Sequence, residues 1–180
     1  MQLSRKTLNV LFWRLGAAAL VLLIVLNLLD MVLRARTGFG TADLQGLASG
    51  WAVRVVLDRW SSPPDAALAG FALGLDYLFM PLYGATLYLG AIAARDRFAP
   101  APGPRQRILA ILAMAPIAGA LCDGLENALQ MTMFVNGPSD LLARLALQAT
   151  AGKFAGAAVG LVLSLAAIGA QLLQGTGKKT

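Results

Sequence analysis

Histidine is absent from this chain of 180 residues, and cysteine occurs once, at Cys122. Without imidazole there is no histidine metal site, no Ser-His-Asp triad and no histidine proton shuttle. A single cysteine excludes an intramolecular disulfide and says nothing of redox compartment, so Cys122 is expected to act as a small apolar filler. Charge is also scarce. Asp, Glu, Lys and Arg make up 13% of residues and hydrophobic types 58%, against about 25% and 45–50% in ordinary soluble domains. A mean hydropathy of +0.68 agrees with a membrane protein. The length allows one bundle of about four spans at about 20 residues each, leaving no room for a separate soluble domain. A single transmembrane domain over residues 1–180 is the expectation.

The net charge of +6 does not point to nucleic acid, because the basic residues sit at the ends of apolar runs and form no basic face. Anionic lipid headgroups are the expected counter-charge. Four such runs are evident, at about residues 10–33, 66–94, 108–135 and 141–173. The first follows Arg5 and Lys6. It is longer than the apolar core of a secretory signal, and it ends in Asn27, Asp30, Arg34 and Arg36 with no small-residue cleavage pattern, so it reads as an uncleaved span. The side holding both termini carries Arg5, Lys6, Arg95, Arg97, Arg105, Arg107, Lys178 and Lys179, against Arg34, Arg36, Arg54, Arg59 and Arg144 on the other. This imbalance predicts both termini in the cytoplasm and an inner (plasma) membrane location.

Between the first two runs, Leu44, Leu47, Ala48, Trp51 and Val55 recur at helical spacing. The pattern predicts an amphipathic helix at about 42–60 lying on the membrane surface, with Trp51 and Trp60 in the headgroup layer. The predicted fold class is therefore an all-α integral membrane protein: a four-transmembrane-helix bundle plus this interfacial helix.

Ionisable side chains near the middle of the runs carry the functional signal. Asp76, Asp123, Glu126 and Lys153 each sit where lipid would make a lone charge cost about 2.5–3.5 kcal/mol, or on the order of 10 kcal/mol together. They must therefore face one another. At the helical rise, Asp123 and Glu126 lie about 12–17 Å from the outer end of their run, Asp76 about 15 Å and Lys153 about 18–20 Å. Asn27 and Asp30 come slightly higher on the first run, so all four helices are expected to contribute to one polar layer. Asp123, Glu126, Asn127 and Gln130 follow i, i+3, i+4, i+7 spacing and form one stripe. Asp76 and Tyr83 share a face of the second run, with Tyr77 beside it, and Pro81 between them is expected to kink that helix and open space next to Asp76.

On the fourth run Gly152, Gly156, Gly160 and Ser164 repeat every four residues, a ridge suited to close helix approach. This face is the predicted contact for a second copy or a larger membrane complex. Arg144 and Gln148, nearer the outer surface, form a fork suited to an anionic headgroup.

Three functions fit these residues. The first is a pocket for a lipid or amphipathic small molecule, in which Asp76, Asp123, Glu126 and Lys153 carry any acid-base chemistry. Lys153 would hold an anionic or carbonyl group there, while Asn27, Asp30, Tyr77, Tyr83, Asn127, Gln130, Arg144 and Gln148 position the ligand. The second is a proton- or ion-coupled carrier, and the third an accessory subunit whose buried salt bridges are structural. Carboxylates that face a lysine pair with it, so no metal site is expected, and no cofactor is legible. The spans lack the Gly-x-Gly-Asp motif of intramembrane aspartyl proteases, and Ser164 lies about 16 Å along the helix from Lys153, too far for a Ser-Lys dyad.

Overall fold

A computed structural model describes residues 5–176, with side chains from Lys6 to Leu173. Lys178 and Lys179, which enter the charge count above, and the side chain of Arg5 lie outside the described residues. Among the described residues every regular element is a helix: α1 (Arg5–Thr37), a 3-10 segment (Thr41–Gly46), α2 (Gly50–Arg59), α3 (Pro63–Phe98), α4 (Pro104–Ala113), α5 (Ala115–Asn136) and α6 (Asp140–Thr176). Four are long and apolar enough to cross a membrane: α1, α3, α4 with α5 taken together, and α6. The chain is a multi-pass α-helical membrane protein.

The helix α3 outruns its apolar run because its polar start is capped. Before α3 the Ser62 hydroxyl accepts from the Asp65 amide at 3.4 Å, and Pro63 and Pro64 occupy first-turn positions whose missing donors cost nothing. With 36 residues α3 is longer than the roughly 20 needed to span the hydrocarbon, so its charged ends reach the headgroup zone. The third span breaks at Met114, where Pro116 supplies no amide to the preceding turn. The helix α3 is continuous through Pro81, where the missing amide removes one backbone hydrogen bond, whereas the third span is interrupted ahead of Pro116. Gly137, at φ +97°, ends α5 in a conformation open to glycine, and its amide bonds the Met133 carbonyl at 3.0 Å.

The interfacial helix is present in a corrected form. Ser49 interrupts the expected 42–60 segment by capping α2 through the Ala52 amide at 3.3 Å, so the apparent periodicity from Leu44 to Val55 crosses two separate elements. The buried face of α2 is Val53 and Val56, followed by Trp60, while Trp51 is 75% exposed. Trp60 faces protein and not lipid headgroups: it is fully buried, its indole donates to the Phe39 carbonyl at 3.1 Å, and its ring meets Phe134 edge-on. Leu33, Leu44, Val53, Val56, Ala69 and Met133 surround it in an apolar core that ties the α1–α3 connection to the bundle end.

Within the bundle α5 packs most closely on α6, α3 packs on both, and α1 rests chiefly on α3. The glycine ridge explains the tight pair. A Cβ on Gly156 would lie 2.7 Å from the Gly119 Cα and 2.4 Å from the Ala115 carbonyl oxygen, and one on Gly160 would strike Pro116 and Leu87. This is a correction to its predicted role: the Gly152, Gly156 and Gly160 face is occupied inside the chain and is closed to a partner. Because α1 leans on α3 and not on α6, a lateral seam is left beside α1.

Candidate functional site

The Gly119–Gly156 approach brings the polar residues of α5 and α6 together. Lys153 lies one turn before Gly156 on α6, and Asp123 one turn after Gly119 on the antiparallel α5. The Lys153 ammonium sits 3.1 Å from Asp123 Oδ1 and 2.7 Å from Glu126 Oε2. Both acids are almost fully buried, at 2% and 1% exposure, and Lys153 is at 8%. Tyr83 donates its hydroxyl to Asp123 Oδ2 at 3.0 Å, so both oxygens of Asp123 are engaged. Gln130 donates to Glu126 Oε1 at 2.8 Å. The stripe expected on the third span is thus turned inward, at the α5–α6 contact.

Asp76 belongs to the same layer by a different link. The Asn127 amide nitrogen donates to Asp76 Oδ2 at 3.1 Å and to the Leu73 carbonyl at 3.1 Å. Asn127 therefore joins α3 to α5 and orients the carboxyl group. Among the described residues no basic side chain pairs with Asp76. The layer holds three carboxylates against one ammonium, and that ammonium is committed to the other two.

A cavity of about 500 Å³ adjoins this layer, walled by α1, α3, α5, α6 and the 3-10 segment. Asp76, Tyr83, Asp123, Asn127 and Lys153 form its polar wall, and Leu23, Leu26, Leu87 and Ala157 line the apolar remainder. It opens sideways along the seam beside α1, where the lining residues Leu23 and Phe154 are 42% and 58% exposed. Its volume falls within the roughly 300–1,000 Å³ that encloses a small organic ligand. No three acidic or sulfur groups converge as a metal cage among the described residues.

The remaining predicted site residues divide. Asn27 lines the cavity, although its amide is turned back onto the Leu23 carbonyl at 2.7 Å. Asp30 also reaches the cavity wall, but its carboxylate holds the 3-10 segment through the Ala42 amide at 2.9 Å and the Thr41 hydroxyl at 3.2 Å, and it pairs with Arg34 at 3.4 Å. The contribution of the first helix to the polar layer is therefore indirect. Tyr77, Arg144 and Gln148 are exposed and stand away from the cavity. Tyr77 follows Asp76 by one residue, and a helical step of about 100° swings it off the polar wall.

No known protein family, curated protein or solved structure matches this chain. The site is read from its own geometry.

Two aromatic wall residues, Phe79 and Phe154, are additions to the predicted site. Phe79 lines the cavity and packs on Tyr83 with ring centres 4.9 Å apart. Its position three residues after Asp76 and four before Tyr83 placed it on their face, which was a readable signal. Phe154 lines the opening and lies 5.3 Å from the Lys153 ammonium. Only the rotation of α6 reveals that contact, since its sequence neighbours are otherwise apolar.

Proposed function

We propose that the chain binds an amphipathic molecule, drawn from the membrane through the seam beside α1, with the polar end of the ligand on Asp76 and its apolar part along Leu23, Leu26 and Leu87. The observation that carries this reading is the unequal pairing in the polar wall: Lys153 forms ion pairs with Asp123 and Glu126, whereas Asp76 has a hydrogen bond from Asn127 and, among the described residues, no ion pair. An anionic or carbonyl head would find Lys153 already taken. A head that carries a positive charge or donates hydrogen bonds supplies the missing partner, since a carboxylate in a low-dielectric site is costly without one.

Tyr83, Asp123 and Asn127 orient that head, and Glu126, Gln130 and Lys153 fix the wall behind it. Acid-base chemistry, where it occurs, falls to Asp76, the acid with no cationic partner. Charge at the two ends supports the predicted orientation, with both termini on the cytoplasmic side of an inner membrane. In the full sequence, with Arg5, Lys178 and Lys179 included, Lys and Arg number eight on the side of the termini and five on the other.

Purification in mild detergent followed by mass spectrometry of extracted small molecules tests the reading. The wild type is expected to retain one amphiphile class at near-stoichiometric amount. Ala157→Phe, which fills the cavity, should lose it, and Asp76→Asn should retain much less. The same lipid complement in all three proteins would refute the proposal.

A further inference from the structure

A second cavity, of about 420 Å³, lies at the opposite end of the same seam, near the basic ends of α1 and α3. We infer that it seats an anionic phospholipid, with the phosphate between Lys6 and Arg97 and one acyl chain running inward past Phe12 and Ile168.

The cavity arises where α3 and α6 close on each other while α1, resting on α3, stands off from α6. Gly90 permits that closure, since a Cβ there would fall 2.0 Å from the Ser164 hydroxyl oxygen and 3.1 Å from the Phe12 ring. At the mouth, Arg97 donates to the Ala170 carbonyl, which pins the guanidinium across the α3–α6 gap instead of leaving it to sweep through solvent. Lys6 reaches the same mouth from α1. The one acid at this end, Asp96, also touches the cavity, but Arg95 engages it at 2.6 Å, so it does not cancel Lys6 and Arg97.

The contrast with the other end of the bundle gives the choice of headgroup. There Arg34 meets Asp43 at 3.0 Å and Arg36 meets Asp65 at 2.6 Å, leaving an electrically balanced rim. Here the charged residues that line the cavity are Lys6 and Arg97 against Asp96 alone, and Arg95 engages Asp96. A basic mouth above an aromatic and aliphatic wall matches a phosphate joined to a hydrocarbon chain. A zwitterionic lipid brings its own cation and gains less from Lys6 and Arg97.

Trp13 lines this cavity and is 59% exposed, which provides an optical reporter. In a Trp51→Phe background, with Trp60 sealed in the core, quenching of Trp13 is measured in mixed micelles containing brominated phosphatidylglycerol or brominated phosphatidylcholine. Phosphatidylglycerol is expected to quench at the lower mole fraction. Lys6→Gln should raise the required fraction about fivefold, the effect of one basic residue near a lipid surface, and Lys6→Arg should leave it unchanged. Arg97→Gln should act in the same direction as Lys6→Gln. Coincident curves for the two lipids, or a preference undiminished by Lys6→Gln, would overturn the assignment. Because Lys6 is exposed and packs on nothing in the core, its substitution leaves the fold intact, and the result is independent of ligand binding at Asp76.

Discussion

Replacing Lys153 with Met removes the one cation that, among the described residues, pairs with two carboxylates that are 2% and 1% exposed, while keeping an unbranched side chain of similar length. Breaking a buried pair from one side costs about 3–5 kcal/mol, because the remaining charge loses both water and partner. Here two acids are stranded, so the upper part of that range is expected. For a chain of this size each kcal/mol moves the melting temperature by about 2–4 °C, giving a drop of roughly 8–20 °C for Lys153→Met in detergent micelles. The loss should be rescued by removing the acids as well. The triple variant Lys153→Met, Asp123→Asn, Glu126→Gln leaves no buried charge and should melt well above the single variant, since neutral replacement of a buried ionic group is often nearly free. Thermal unfolding followed by tryptophan fluorescence, with Trp60 as the core reporter, measures both. A single variant within about 1 kcal/mol of wild type, or a triple variant less stable than the single, would refute the claim that these three side chains form one buried ionic unit.

Other substitutions probe the supports of the site. Gly156→Ala should destabilise by about 1–3 kcal/mol or more, since its Cβ would meet backbone atoms at 2.4–2.7 Å that can yield only by parting α5 from α6; a melting curve measures it. Trp60→Ala empties the core beneath α2 and should cost about 3–5 kcal/mol, read by the same method. Asp30→Ala removes the carboxylate that holds the 3-10 segment, so amide exchange at Ala42 should rise markedly while that of α5 stays slow. Ser49→Ala should fray the start of α2 at a cost of about 1 kcal/mol, visible as faster exchange at Ala52.

The spans and the inward stripe of the third were legible because both rest on local periodicity, which a helix converts directly into a face. Asp123, Glu126, Asn127 and Gln130 stand one turn apart or next to one another on that face, and nothing tertiary alters their alignment. What the sequence did not reveal depends on pairing. The small residues of α6 announce a close approach, but only the fold shows that its other side is Gly119 of the same chain. Both Pro81 and Pro116 are plain in the sequence, yet which helix yields depends on the contacts that brace it. The periodicity from Leu44 to Val55 ran through a break at Ser49, where a serine cap outweighed an apparently continuous apolar face. The mid-span position of Lys153 puts it in the polar layer, but its pairing with two acids follows from how α5 and α6 are rotated, and that pairing is why the proposed ligand head is a cation or hydrogen-bond donor.

The central claim is that α1 stands apart from α6 and leaves a lateral cavity whose free acid receives the polar end of a membrane amphiphile. A density map of the protein in lipid nanodiscs, at side-chain resolution, tests it most directly. The predicted result is elongated non-protein density along Leu23 and Leu87, with its head within hydrogen-bond distance of Asp76 and with Lys153 bridging Asp123 and Glu126. A map in which α1 closes the seam, or in which Lys153 points into the acyl chains, would contradict the account.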